Sequence, residues 1–160
     1  MYSHSPSTPE TPTPSTPEVE QALRSVMQVL IDSEEGFQKL GEEIKQPSLR
    51  RYFLEESSMR AQFRSELEAV LLQEGIHDNE ESGTVAGTLN RVWGELKAAI
   101  GGTDHTLLVT AEQAEDHAKQ AYRNALEKDL PFPAQQLLIS QALHIQASHD
   151  FVRAARDSTK

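Results

Sequence analysis

No cysteine occurs in the 160 residues, which excludes a disulfide framework, a zinc–thiolate site, an iron–sulfur cluster and a cysteine nucleophile. No apolar run approaches the roughly 18 residues that a membrane-crossing helix needs. Residues 1–17 also lack the basic-then-apolar profile of a secretory signal. Basic residues are scarce: Lys and Arg number 15 against 25 Asp and Glu, and a net charge of −10 argues against a surface that tracks nucleic-acid phosphates. The glycines match neither a phosphate-binding loop nor a dinucleotide fingerprint, and Ser140, Ser148 and His149 form no nucleophile arrangement, so no catalytic residue is assigned. These absences predict a soluble, cytoplasmic protein with no membrane or nucleic-acid partner. What is present, 37% hydrophobic and 25% charged residues, suffices for one core of ordinary size.

Residues 1–17 hold five of the eight prolines, set among Ser and Thr, and offer almost nothing to bury, so they are expected to form a disordered tail. Residues 18–157 are expected to form the folded unit, because apolar residues there recur three and four apart with no competing strand-type alternation. A first helix starts at a Ser15 or Thr16 cap and carries Val19, Leu23, Val26, Leu30, Phe37, Leu40 and Ile44. Pro47 separates it from a second, through Leu49, Phe53, Phe63, Leu67 and Val70, which stops at Gly75. A short helix over residues 84–100, around Val85, Leu89, Val92, Trp93 and Leu96, is closed by Gly101 and Gly102. A third long helix begins at Thr103 or Asp104, and Pro131 and Pro133 set off a fourth lined by Leu138, Ala142, Ile145, Val152 and Ala155.

Four long helices of about 25 to 29 residues each span about 40 Å, and short links make the first and second, and the third and fourth, antiparallel pairs. The short helix alone reaches about 25 Å, enough to carry the chain back along most of a bundle. The second and third long helices are then parallel, the arrangement of ferritin-like bundles with a crossover. An up-down-up-down bundle with the short helix packed outside is the competing topology.

Polar residues interrupt each stripe near mid-helix: Glu34 between Leu30 and Phe37, Glu56 after Phe53, Glu115 between Leu108 and Tyr122 with Glu112 one turn earlier, and His149 between Ile145 and Val152. In an assembled bundle they meet at one level, and buried carboxylates need neutralising. One reading is a metal site, since inward carboxylates and imidazoles on four helices are how di-iron and di-manganese bundles bind metal. The other is a polar network in which Arg60 pairs with Glu56, and His149 with Glu115.

The stretch Ser82-Gly83-x-Val85-Ala86-x-x-Leu89-x-Arg91-x-Trp93-x-x-Leu96-Lys97-Ala98-Ala99 resembles the signature of the bacterial family called domain of unknown function 2383. Asp32, Glu34, Gly36 and Phe37, then Arg60-Ala61-x-Phe63-x-x-Glu66-Leu67, Glu112-x-x-Glu115-Asp116 with Tyr122, and His149-Asp150 extend the resemblance over roughly residues 20–156. The resemblance implies a ferritin-like four-helix bundle related to carboxylate-bridged di-iron proteins, without an established activity. The chain departs from that pattern at Met59, where the family carries Glu, and at Asn90, where it carries His. It also lacks the paired Glu-x-x-His motifs, having Glu56-x-x-Met59 and Gln146-x-x-His149 instead. A thioether suits hard iron poorly.

Two functional readings follow. The first is an incomplete or rearranged iron or manganese site formed by Glu34, Glu56, Glu115 and His149, with Glu112 bridging or behind them and His144 as a substitute, serving iron or oxidative-stress handling. The second is a metal-free structural or protein-interaction module on the same scaffold. A second apolar edge of Ile31, Leu72 and Ile139 adds the expectation of a homodimer.

Overall fold

The computed structural model describes residues 16–76, 93–94, 99 and 101–159. Among them run four long helices: α1 (Pro17–Glu43), α2 (Pro47–Gln73), α3 (Asp104–Leu126) and α4 (Phe132–Ser158). The protein is an all-α four-helix bundle, and no helix among the described residues is long and apolar enough to cross a membrane. The tail expected over residues 1–17 lies outside the described residues except for Thr16 and Pro17, the cap and first residue of α1.

The helix ends follow from local chemistry. Thr16 Oγ1 accepts the Val19 amide hydrogen at 3.3 Å, Pro17 fixes the first turn, and Glu18 and Glu20 sit at the positive end of the helix dipole. Gly75 closes α2 with a φ of 72°, a backbone conformation that glycine adopts without strain. There the Gly75 and Ile76 amides donate to the carbonyls of Leu72 and Leu71, and Ile76 folds back into the core. Thr103 caps α3 by accepting the Thr106 amide hydrogen. At 23 residues α3 is shorter than the other three, each of which has 27.

Two sets of hydrogen bonds decide the topology. Asp104, the first residue of α3, accepts the Lys45 and Gln46 amides at 2.9 and 3.0 Å, so α3 begins at the end where α1 turns into α2. At that same end His105 Nδ1 lies 3.2 Å from the Arg156 carbonyl, near the close of α4. Around the bundle α1 packs on α2, α2 on α4, α4 on α3 and α3 on α1. Neighbours are therefore antiparallel, while the diagonal pairs, α2 with α3 and α1 with α4, run parallel. This is the crossover topology and not the up-down-up-down alternative. The short helix expected over 84–100 lies outside the described residues apart from Trp93, Gly94 and Ala99. The Trp93 ring lies so close to Gly36 of α1 that a β-carbon there would come within 2.4 Å of it, and it meets Phe37 edge-on at 5.6 Å.

The interior is stratified. One apolar cluster gathers Leu23, Leu30, Leu67, Tyr122, Leu138 and Ile145, and a second gathers Phe37, Leu40, Ile44, Phe53, Leu107 and Leu108. Buried polar side chains lie between them: Ser33, Glu56, Ser57, Arg60, Glu115, Ser148 and His149. Three of the four stripe interruptions read from the sequence thus share one level inside the bundle. Glu34 sits at that level but only partly buried.

Candidate functional site

Arg60 occupies the middle of the polar layer and is fully buried. Both carboxylate oxygens of Glu115 lie 2.9 Å from its Nη2, with Oε2 in hydrogen-bond geometry. Glu56, one turn earlier on α2, approaches the same nitrogen at 3.4 Å. Burial opposes the guanidinium charge, but the Glu115 carboxylate and then Glu56 outweigh it and hold the Arg60 pKa above its ordinary value. The cation also stands 4.9 Å from the centre of the Phe37 ring, a favourable cation–π distance. Its Nε and Nη1 have no hydrogen-bond partner among the described residues.

Neighbouring groups close the layer. His144 Nε2 lies 2.9 and 3.1 Å from the two Glu56 oxygens. Ser57 donates to the Glu34 carbonyl at 2.7 Å, Tyr52 to Ser148 Oγ at 2.9 Å, and Tyr122 to Gln141 Oε1 at 2.7 Å, with the Gln141 amide reaching the Phe63 carbonyl. Burial pushes the phenols of Tyr52 and Tyr122 upward, so both stay protonated as donors.

A second group lies at the rim, between α3 and α4. His149 is 5% exposed, its Nε2 2.9 Å from Asp116 Oδ1 and 3.9 Å from Glu112 Oε1, and its Nδ1 3.2 Å from Asp150 Oδ1. Glu112, Asp116 and His149 each offer one ligand atom within 4.8 Å of the others. Arg156, two turns beyond His149 on α4, bonds the other Glu112 oxygen. The hydrogen bond from His149 is the main influence holding the exposed Asp150 carboxyl below its usual range.

The five candidate ligands therefore divide into three sets. Glu56 and Glu115 meet on Arg60. Glu112 and His149 meet at the rim. Glu34 pairs on its own with Arg64, whose Nη2 lies 3.0 Å away. The expected Arg60–Glu56 pair is present, but the expected His149–Glu115 pair is not, because the imidazole turns to Asp116 and Asp150. Met59 is partly buried against the first apolar cluster and serves as packing. Asp116 and Arg156 were missed as members of the rim group. The signal for each was helical spacing, Asp116 four after Glu112 and Arg156 seven after His149.

Residues 18–128 match the family described as a domain of unknown function (DUF2383). The chain belongs to that family. No curated protein matches the chain. The DUF2383 match spans α1, α2 and α3 and ends one residue after the Glu127 cap of α3, so it takes in Glu34, Glu56, Arg60, Glu112, Glu115 and Asp116. α4, with His149, lies beyond it, although the sequence resemblance was drawn as far as residue 156.

Proposed function

We propose that this DUF2383 chain is a ferritin-like bundle that binds one first-row divalent cation at its α3–α4 rim, through Glu112, Asp116 and His149. The ferritin-like assignment is supported by the antiparallel neighbours and parallel diagonals joined by a crossover. The observation that carries the cation reading is the mutual approach of the three ligand atoms within 4.8 Å. Ligands bonded to one metal at about 2.1 Å stand about 3 Å apart at right angles and about 3.4 Å apart at tetrahedral angles. His149 Nε2 lies 2.9 Å from Asp116 Oδ1 and 3.9 Å from Glu112 Oε1, on either side of those values.

The imidazole supplies a second argument. Asp150 accepts from Nδ1, which turns the Nε2 lone pair toward two carboxylates unless a proton or a metal ion lies between. Nitrogen and carboxylate donors without thiolate suit iron, manganese or zinc, and the resemblance favours the first two. Three protein donors leave positions for water, and a bound cation would supply Lewis acidity there. In this reading the protein handles iron or manganese under oxidative stress, and no redox step is assigned.

The interior carboxylates do not fit a pair of metal ions in this arrangement. A dinuclear centre would need Glu56 and Glu115 turned toward the metals, whereas the Arg60 guanidinium already sits between them. The Arg60 guanidinium standing between the two carboxylates is also what favours the second reading, a metal-free scaffold. Calorimetric titration of chelator-treated protein with Mn²⁺, and anaerobically with Fe²⁺, separates the two. One cation per chain is expected, lost in Asp116→Asn and His149→Ala and kept in Glu56→Gln. Two cations per chain that Glu56→Gln abolishes would return the site to the interior, and no binding at millimolar metal would leave the metal-free scaffold.

A further inference from the structure

In a chain of which a quarter of the residues are charged, twenty consecutive positions, Leu130 to His149, carry no Asp, Glu, Lys or Arg. They cover most of α4. Its inward side is accounted for, since Leu138, Gln141, Ile145, Ser148 and His149 are buried in the bundle. On the opposite side stand Phe132, Ile139 and Leu143, spaced seven and four apart and 70%, 42% and 70% exposed. Gln136, Ser140 and Ala147 lie between and beside them, exposed and uncharged. Phe151, 43% exposed, extends the patch toward α2, where it stacks on Tyr52 at 3.9 Å.

No described element reaches this side. Among the described helices α4 packs on α2 and α3, and α1 is diagonal to it. The described residues between α2 and α3 lie far away, Trp93 on Gly36 and Phe37 of α1, and Ala99 in the cluster of Leu40, Leu107 and Leu108.

We propose that the outer face of α4 is the interface of a homodimer, two copies meeting helix to helix, antiparallel, about a twofold axis between Ile139 and Leu143. That axis sets Ile139 of one copy against Leu143 of the other and brings each Phe132 level with the far Asp150, just beyond the uncharged run. Charge selects a second copy as the occupant. A twofold interface sets a patch against itself, and an uncharged patch does so without bringing any charge against its own kind. Two copies of net charge −10 repel, and this neutral face is where they come together without opposing carboxylates. An anionic lipid surface is disfavoured by the same net charge and by the lack of any Lys or Arg within the uncharged run. A basic protein partner would be steered instead to the acidic surfaces.

The dimensions agree. Residues 132–151, with Asp150 the one charged residue among them, run about 30 Å along the helix. A pair of helices over that length, with three or four large apolar side chains from each copy, buries close to the roughly 1,000 Å² lower bound of specific interfaces. Such a dimer dissociates on dilution.

The test is sedimentation velocity of the full chain from micromolar to several hundred micromolar, at low and high salt. The expected result is a concentration-dependent mass of twice 17.8 kDa, whose fraction rises with NaCl as the like charges are screened. Leu143→Glu should abolish the dimer while leaving the circular dichroism and the melting temperature of the monomer unchanged, since the side chain touches solvent. Leu72→Glu, at an equally exposed apolar position on α2, should leave the dimer intact. A wild type that stays monomeric throughout overturns the proposal. So does a dimer that Leu72→Glu breaks and Leu143→Glu does not, or co-sedimentation with anionic phosphatidylserine vesicles in place of self-association.

Discussion

Glu115 and Asp116 are neighbours in the chain and sit in opposite surroundings. Glu115 is fully buried on Arg60, while the Asp116 side chain is 60% exposed and faces an imidazole with a second carboxylate beside it. In the interior one guanidinium stands against two carboxylates, and the His144 imidazole adds a second contact to Glu56. At the rim Arg156 holds one oxygen of Glu112, leaving the other together with Asp116 around His149 Nε2. The difference teaches where a cation from solution has a place. The interior brings its own cation on α2, and the rim has room for one.

Breaking the interior should have the largest effect. Arg60→Met leaves Glu56 and Glu115 buried without a cation, and stranding one side of a buried ion pair costs about 3–5 kcal/mol. For a chain of this size that lowers the melting temperature by about 10 °C or more. Adding Glu115→Gln to Arg60→Met should restore part of the loss, because one of the stranded charges is then gone, and thermal melts of Arg60→Met, Glu115→Gln and the double variant measure the coupling. If Arg60→Met melts normally in metal-containing buffer and collapses once chelator is added, the interior takes a metal when its arginine is removed, and the contrast between the two clusters is one of occupancy alone.

The rim should behave the other way round. Asp116 is largely exposed, so Asp116→Asn should change the stability of metal-free protein by less than about 1 kcal/mol. Its effect appears on adding cation. A ligand at a hundred times its dissociation constant stabilises the folded state by about 2.7 kcal/mol. Wild type should therefore gain several degrees with Mn²⁺ and Asp116→Asn should gain none. Equal gains in both would sink the rim site.

Much of this contrast was legible in the sequence, and the reason it was not wholly legible is geometric. Helical phase brought Glu56, Glu115 and His149 to one level, because 3.6 residues per turn fixes which side of a helix a residue occupies. Phase does not say how a long side chain leaves that helix. Glu34 has the right phase, yet its carboxylate reaches sideways to Arg64. Arg60 has the right phase for Glu56 and reaches across the bundle to Glu115, fifty-five residues away in the chain, a pairing that depends on α2 and α3 standing diagonally. The crossover topology was readable because chain lengths limit it. The choice of His149 for Asp116 over Glu115 was not, since adjacent residues on α3 differ by only about 100° around the helix axis and the position of α4 decides between them.

Asp32 provides a third kind of carboxylate and the smallest effect. It is half-buried on α1, its Oδ1 accepting from Gln28 at 3.0 Å while its Oδ2 is buried with no hydrogen bond among the described residues. Burial pushes its pKa upward, Gln28 opposes the shift, and Glu35 adds to it. A folded-state pKa raised above the ordinary 3.8 means that the folded chain holds this proton more tightly than the unfolded chain does. The resulting loss of stability sets in as pH rises through 3.8 and is complete above the folded-state pKa. Asp32→Asn keeps the Gln28 bond and removes the charge, so it should melt slightly higher than wild type at pH 7. The advantage should shrink as the pH is lowered and vanish below about pH 3, where both states of the wild type are protonated. Paired melts across pH 3–7 measure it. An advantage that is independent of pH would mean that the gain comes from packing, and that Asp32, like Glu115, has its charge answered.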